Sequence, residues 1–159
     1  MGAGPGSVLI VGVSTRALAE SAHRAGYSCM SVDAFGDFDQ KSRVQNLGLW
    51  RDFGRRYSAA AAVAIGRRFA AESAAYVGNL ENHPAAVRRL AKGRHLLGNT
   101  PATLVRARDP VAVAEVVQRA GGRVPLTLPE GEARGAQDVE PGLLPHDPRP
   151  GRQDRGFHV

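Results

Sequence analysis

The sequence predicts an α/β fold, a three-layer sandwich around a parallel sheet of four or five strands. Three observations predict it. Ser7 to Val13 reads SVLIVGV, a nearly unbroken apolar and β-branched run. A strand apolar on both faces belongs at the centre of a parallel sheet with helices on both sides. Strand-like and helix-like segments then alternate along the first 128 residues, as βαβ units require. Two later strand candidates both end in Gly-Asn, at Gly78–Asn79 and Gly98–Asn99, where a chain leaves a sheet through a tight turn.

The elements follow in order. Met1 to Gly6 holds three glycines and a proline and reads as a flexible leader. After the first strand, the turn Gly12-Val-Ser-Thr-Arg16 leads into a helix over Ala17–Gly26. Ser14 or Thr15 can cap it, and Gly26 suits its end. Tyr27–Ala34 is the second strand, finishing at Asp33. Phe35–Tyr57 reads as irregular, with Trp50 and Phe53 packing it back onto the sheet. Ser58–Ser73 is Ala-rich and helical, with Arg67 and Arg68 outward. Ala74–Asn79 is the third strand. Pro84–Lys92 is a short helix opened by Asn82 and Pro84 and closed by Gly93. His95–Asn99 is the fourth strand. Thr100-Pro101 and Asp109-Pro110 each open a further helix, the second running over Val111–Ala120 until Gly121-Gly122 stops it. Val124–Leu128 makes a short, peripheral fifth strand. The predicted strand order is 2-1-3-4, a Rossmann-like arrangement.

From Pro129 the pattern lapses. Five of the ten prolines fall in residues 129–159, Phe157 is the lone aromatic there, and no periodicity survives. This stretch reads as a disordered tail. Charge divides the chain at the same place. The tail carries four arginines against six carboxylates, and the preceding 128 residues carry 17 basic against nine acidic side chains. The division is therefore leader 1–6, α/β domain 7–128 and tail 129–159.

Composition narrows the function. The net charge is +6, but the basic residues are mostly arginines in scattered pairs, Arg55-Arg56, Arg67-Arg68 and Arg88-Arg89. Such pairs read as solvated helix faces. No aromatic residues interleave with them, so a nucleic-acid surface is the lesser reading. The single cysteine, Cys29, excludes an internal disulfide and fits a reducing, cytoplasmic setting. No signal peptide is apparent, and the longest apolar stretch, Ala59–Ile65, is far shorter than the roughly 20 residues of a membrane span.

In a parallel sheet the loops after the strands converge on the carboxyl edge, where open α/β sheets bind ligands. Four polar loops meet there: Gly12–Arg16, Ala34–Asp39, Gly78–Asn82 and Gly98–Thr100. The candidate binding residues are Gly12, Ser14, Thr15, Arg16, Asp33, Gly78, Asn79, Glu81 and Asn99. Glycines admit a ligand to the backbone, helix amino ends favour an anion, and Arg16 is the best-placed cation for a carboxylate or phosphate. Asp33 stands where dinucleotide folds hold a ribose, but without the glycine fingerprint it reads first as a brace for its own turn. Asn79, Glu81 and Asn99 can likewise brace turns. Asp37 and Asp39 alone make a weak metal signal. The five histidines are dispersed, and no HExxH, GxSxG or Walker A pattern occurs, so no residue qualifies as catalytic and no metal site is assigned.

The segment VLIVGVSTRALAESAHRAGYSCMSVDAFGD resembles the opening of the predicted ATP-dependent carboligases, ATP-grasp proteins distantly related to biotin carboxylase. YVGNLENHPAAVRRLAKGRHLLGNTPATLVRARDPVAVAEVVQRAGGRVP resembles the rest of their amino-terminal, pre-ATP-grasp domain. The likeness covers about Ser7 to Leu128 and lies in turn and packing positions. It implies a domain forming one side of a substrate crevice. In such enzymes Mg-ATP lies between two later subdomains, a carboxylate is phosphorylated, and an amine or similar nucleophile attacks the acyl phosphate. The family's ATP-contacting lysines, glycine-rich loop and magnesium ligands follow this domain. After Gln137 this sequence has no lysine, and Asp109-Pro110 stands where many relatives have Asp-Lys. The resemblance thus implies no cofactor bound by this chain, Mg-ATP being held in full-length relatives.

The leading expectation is a truncated amino-terminal domain of a ligase-like protein, inactive alone. Its partners are a small anionic substrate or ATP-grasp subdomains from another chain. A stand-alone Rossmann-like nucleotide binder and a basic nucleic-acid module are the alternatives.

Overall fold

The computed structural model describes residues 6–127. The expected leader, apart from Gly6, and the expected tail over 129–159 lie outside the described residues. Five parallel strands form one sheet: β1 (Ser7–Gly12), β2 (Ser28–Asp33), β3 (Gln45–Gly48), β4 (Ser73–Val77) and β5 (His95–Leu97), in the order β3-β2-β1-β4-β5. Six helices connect and cover them: α1 (Arg16–Arg24), α2 (Leu49–Phe53), α3 (Ala59–Gly66), α4 (Pro84–Ala91), α5 (Pro101–Ala107) and α6 (Pro110–Arg119).

The central position of β1 follows from its side chains. Leu9 and Val11 join one core with Val32 and residues of α3 and α4, while Val8 and Ile10 join a second core with Ala19 of α1. All four are buried. At roughly 1.5–3 kcal/mol for each fully buried aliphatic side chain, this one strand anchors both layers. α1 covers one face, and α3 and α4 the other. That division is what right-handed crossovers impose when the chain runs outward from β1 to β2 and then returns past it to β4.

The expected order of four strands holds as β2-β1-β4-β5, with β3 added outside β2. β3 corrects the reading of Phe35–Tyr57 as irregular, as do the 3-10 turn Gln40–Ser42 and α2. Residues 124–127 form no strand, so the expected fifth strand at Val124–Leu128 is not the one observed. The helix expected over Ser58–Ser73 stops at Gly66. There the chain lies against β1, a Cβ on Gly66 standing 3.2 Å from both Leu9 and Val11, and it then turns into β4.

Caps explain the helix starts. Ser58 accepts the amide of Ala61, Thr100 that of Thr103, and Asp109 those of Val111 and Ala112. α1 differs. Thr15 is its N-cap residue, but its side chain makes no cap hydrogen bond, because its hydroxyl is committed to Asp33. α4 starts with Pro84 after His83, while Asn82 donates to Asn79 instead of capping. Among the described residues no helix is long and apolar enough to cross a membrane.

Candidate functional site

Every strand is parallel, so every strand-to-helix turn opens on one edge. Asp33 is the hub of that edge. Its carboxylate is 1% exposed. One oxygen accepts the backbone N–H groups of Phe35 and Gly36, at 3.1 and 2.7 Å. The other accepts the Thr15 hydroxyl at 2.7 Å, the Asn46 side-chain amide at 3.1 Å and the Thr15 N–H at 3.4 Å. One buried carboxylate therefore ties the turn after β1 to the turn after β2 and to strand β3.

A polar layer lies beneath it. Register sets Ser31 beside Ile10 and Asn46 beside Ser31, on the face that carries α1. Ser31 accepts from the amides of Gln40 and Asn46, and Gln40 also donates to Thr15. The side-chain oxygens of Gln40 and Asn46 find no partner among the described residues. Outside this layer, Arg51 of α2 donates to the carbonyls of Gly36 and Asn46 and pairs with Asp52. That pairing, above all, holds the Asp52 carboxyl below the usual range.

The other predicted positions fall as follows. Gly12 is buried at the end of β1, where a Cβ would lie 2.2 Å from the Val77 carbonyl oxygen. Ser14 is exposed, and Thr15 is buried. Arg16 is half exposed but not free, since it pairs with Asp39 from the turn after β2 and with Glu20 at 3.3 Å. Gly78 and Asn79 both adopt left-handed backbone, at φ 44° and 63°. Asn79 accepts from Asn82, and Glu81 is partly buried beside them. Asn99 engages through its backbone carbonyl, which accepts the Tyr76 hydroxyl at 2.9 Å. The structure thus joins Thr15, Asp33 and the backbone around Gly36 into one network, and leaves Ser14, Arg16 and Asn79 at the surface.

The aromatic residues of the edge depart in part from the sequence expectation that Trp50 and Phe53 pack this segment onto the sheet. Trp50 does not pack on the sheet. It is 67% exposed on α2, as Phe35 at 60% and Phe38 at 92% are in the turn after β2, while Leu49 and Phe53 take the inward positions. Tyr57 sends a buried hydroxyl without a partner among the described residues toward the same edge. Burial, then the nearby charges of Glu81 and Asp33, push the phenol up from 10.0 to about 12. No local pattern marks Tyr57, because its surroundings, Asp33, Glu81 and the core beneath them, are distant in sequence.

The raised phenol has a measurable consequence. Below pH 10 the hydroxyl is protonated in both folded and unfolded chains, and its full contribution to stability is present. Between about 10 and about 12 only the unfolded chain releases the proton, so stability falls as pH rises. A spectrophotometric titration of the three tyrosines should show one ionising only near pH 12, and Tyr57→Phe should remove that late step. Loss of an early step instead would contradict the burial of Tyr57.

Among the described residues no group of three or more His, Cys, Asp or Glu side chains is placed to hold a metal ion. The edge thus offers a hydrogen-bonded backbone cradle, the ion-paired guanidiniums of Arg16 and Arg51, and exposed aromatic side chains.

No protein-family model matches the sequence, and no curated protein matches it. Solved structures share its fold. The biotin carboxylase domain of a single-chain bacterial carboxylase matches with a TM-score of 0.56 at 19% identity, over 74% of this chain and 30% of that one. The multifunctional pyruvate carboxylase from Rhizobium etli matches with a TM-score of 0.57 at 19% identity, over 80% of this chain and 13% of that one. N5-carboxyaminoimidazole synthetase from Staphylococcus aureus matches with a TM-score of 0.55 at 15% identity, over 85% and 36%. The chain therefore spans from 13% to 36% of the length of these proteins. In the biotin carboxylase and the synthetase the shared part is amino-terminal. The chain thus shares the fold of the amino-terminal part of these ATP-grasp enzymes, consistent with a pre-ATP-grasp domain.

Proposed function

We propose that this domain is the substrate-side, amino-terminal part of an ATP-grasp ligase-like protein. Its carboxyl edge takes a small anionic substrate at Ser14 and Arg16, on the turn that Gly12 and Thr15 shape from beneath, flanked by Gly78, Asn79, Glu81 and Asn99. ATP-grasp subdomains from elsewhere meet the same edge and bring the Mg-ATP. On this reading the domain turns over no ATP alone, and it works in a reducing cytoplasm, where Cys29 stays a thiol. Asp33 holds the substrate turn in place and does not touch the ligand.

The observation that carries the reading is that Arg16, Phe35, Phe38 and Trp50 are all exposed on the segments that follow β1, β2 and β3 at the carboxyl edge. Exposed aromatic surface is uncommon on a domain that stands alone and is characteristic of binding faces. The shared fold supports the same assignment.

Trp50 is the single tryptophan, so its emission reports on this edge alone. Titrating succinate or inorganic phosphate should change that emission with saturation in the millimolar range, and Arg16→Ala should weaken binding about fivefold, as loss of one solvent-screened charged contact does. Equal affinity in the variant would remove Arg16 from the site. Calorimetry with Mg-ATP should show no heat of binding, and steady ATP hydrolysis by the purified chain would overturn the proposal.

A further inference from the structure

A second concave surface opens at the other end of the sheet. It is a groove of about 700 Å3 at the amino ends of β2 and β3, lined by His23, Tyr27, Ser28, Lys41, Arg43 and Gln45 among others. β2 runs from Ser28 at this groove to Asp33 at the carboxyl edge. At about 3.3 Å per residue the two surfaces lie roughly 17 Å apart.

The charge of the groove is one-sided. Its lining includes the cations Lys41 and Arg43, with the imidazole of His23, and no carboxylate. Among the described residues none of these three forms an ion pair, whereas Arg16, Arg51 and Arg119 each have a carboxylate partner. Lys41 and Arg43 are exposed, close in sequence and on the same rim.

Asp52 lies within Coulombic reach of Lys41 but is itself paired with Arg51, and the groups lining the groove carry no negative charge. The carbonyls of Ser21, Ala22 and His23, at the negative end of α1, are all taken by the amides of Ala25, Tyr27 and Gly26. Burial pushes the Cys29 thiol up to about 11, so it stays neutral. The Ser42 hydroxyl donates to the Asp39 carbonyl, while the hydroxyls of Tyr27 and Ser28, which also line the groove, make no hydrogen bond among the described residues.

We propose that this groove binds a compact phosphorylated anion of the pyrophosphate or phosphate-ester class. The volume falls within the range of small-molecule sites. Arg43 supplies a planar fork and Lys41 a point charge, the two complementary ways of holding phosphate oxygens. A monocarboxylate would gain too little at such an open site to displace water, whereas a polyanion engages both cations at once. The site is independent of the carboxyl-edge reading and uses none of its residues.

The test is a pyrophosphate titration of the 159-residue chain in 50 mM salt, followed by backbone amide shifts. Half-saturation is expected below about 1 mM. The shifts should centre on Ser28, Cys29 and Lys41 to Gln45. The double variant Lys41→Glu, Arg43→Glu changes only exposed side chains, so its amide spectrum should stay folded while affinity drops at least about tenfold. Arg16→Ala should leave the affinity unchanged, which separates this site from the carboxyl edge, and inorganic phosphate should bind more weakly than pyrophosphate. Shifts centred on Gly12–Arg16, unchanged affinity in the double variant, or no saturation would each overturn the proposal.

Discussion

Asp33→Ala is expected to lower the unfolding free energy by about 3–5 kcal/mol, since each buried donor left unsatisfied costs roughly 1–3 kcal/mol and at least two are left here. The carboxylate accepts from two side chains and three backbone amides in a site closed to solvent. Alanine leaves those donors facing a void. Some recover water, since Phe35 is itself exposed, but the Thr15 hydroxyl and the Asn46 amide do not. Asp33→Asn makes the informative contrast. Its oxygen can keep the Phe35 and Gly36 amides, and its new NH2 meets Asn46, whose own side-chain oxygen has no partner and can turn to accept it. The asparagine variant should therefore lose only about 1–2 kcal/mol, roughly one or two net hydrogen bonds. Urea unfolding followed by circular dichroism gives both values. A loss below about 1 kcal/mol for Asp33→Ala would mean that solvent reaches the network and that the turn after β1 is held by something else.

This network also shows where the sequence was readable and where it was not. β1 was legible because its apolar run answers to two cores at once, and that signal needs no partner to be recognised. The helix starts at Ser58, Thr100 and Asp109 were legible because capping is decided within three residues. β3 was hidden because Gln45 and Asn46 are poor strand formers. Asn46 sits in the sheet only because Ser31 and Asp33 of the neighbouring strand accept its amide. That stabilisation is tertiary, and no window of sequence contains it.

The candidate edge divides in the same way. Convergence of the loops follows from a parallel sheet and could be read early. The bracing role of Asp33 could be read too, since an Asp one residue ahead of Ala-Phe-Gly suits a turn held through its carboxylate. The position of Trp50 could not. In LGLWRDF either Leu49 or Trp50 can face inward, and the short α2 resolves this by burying Leu49 and leaving the indole outside. The partners of Arg16 were equally out of reach, because Asp39 comes from a loop 23 residues further on whose path depends on β3.

Gly12→Ala should be the most damaging change at the edge that leaves every polar contact chemically intact. Gly12 pairs in register with Val77, and an added Cβ would lie 2.2 Å from the Val77 carbonyl oxygen and 2.6 Å from its Cγ2. The oxygen is backbone, so relief requires β1 and β4 to part where the ladder ends. Forced overpacking of this kind costs typically 1–3 kcal/mol, and a backbone obstacle puts the expected loss at about 3 kcal/mol. Gly93→Ala supplies the control. Gly93 has positive φ but open space around the added carbon, so it should lose only the 1–2 kcal/mol of a left-handed alanine. The two variants separate crowding from backbone conformation. Crowding at Gly12 must also displace the turn after β4, so amide shifts should spread to Gly78 and Asn79 in that variant and stay local in the other. If Gly12→Ala unfolds no more readily than Gly93→Ala and leaves Gly78 and Asn79 unmoved, the strands do not approach as closely as described. The turn after β1 then has room for a side chain, and the cradle it forms with the turn after β4 is looser than a specific small-anion site requires.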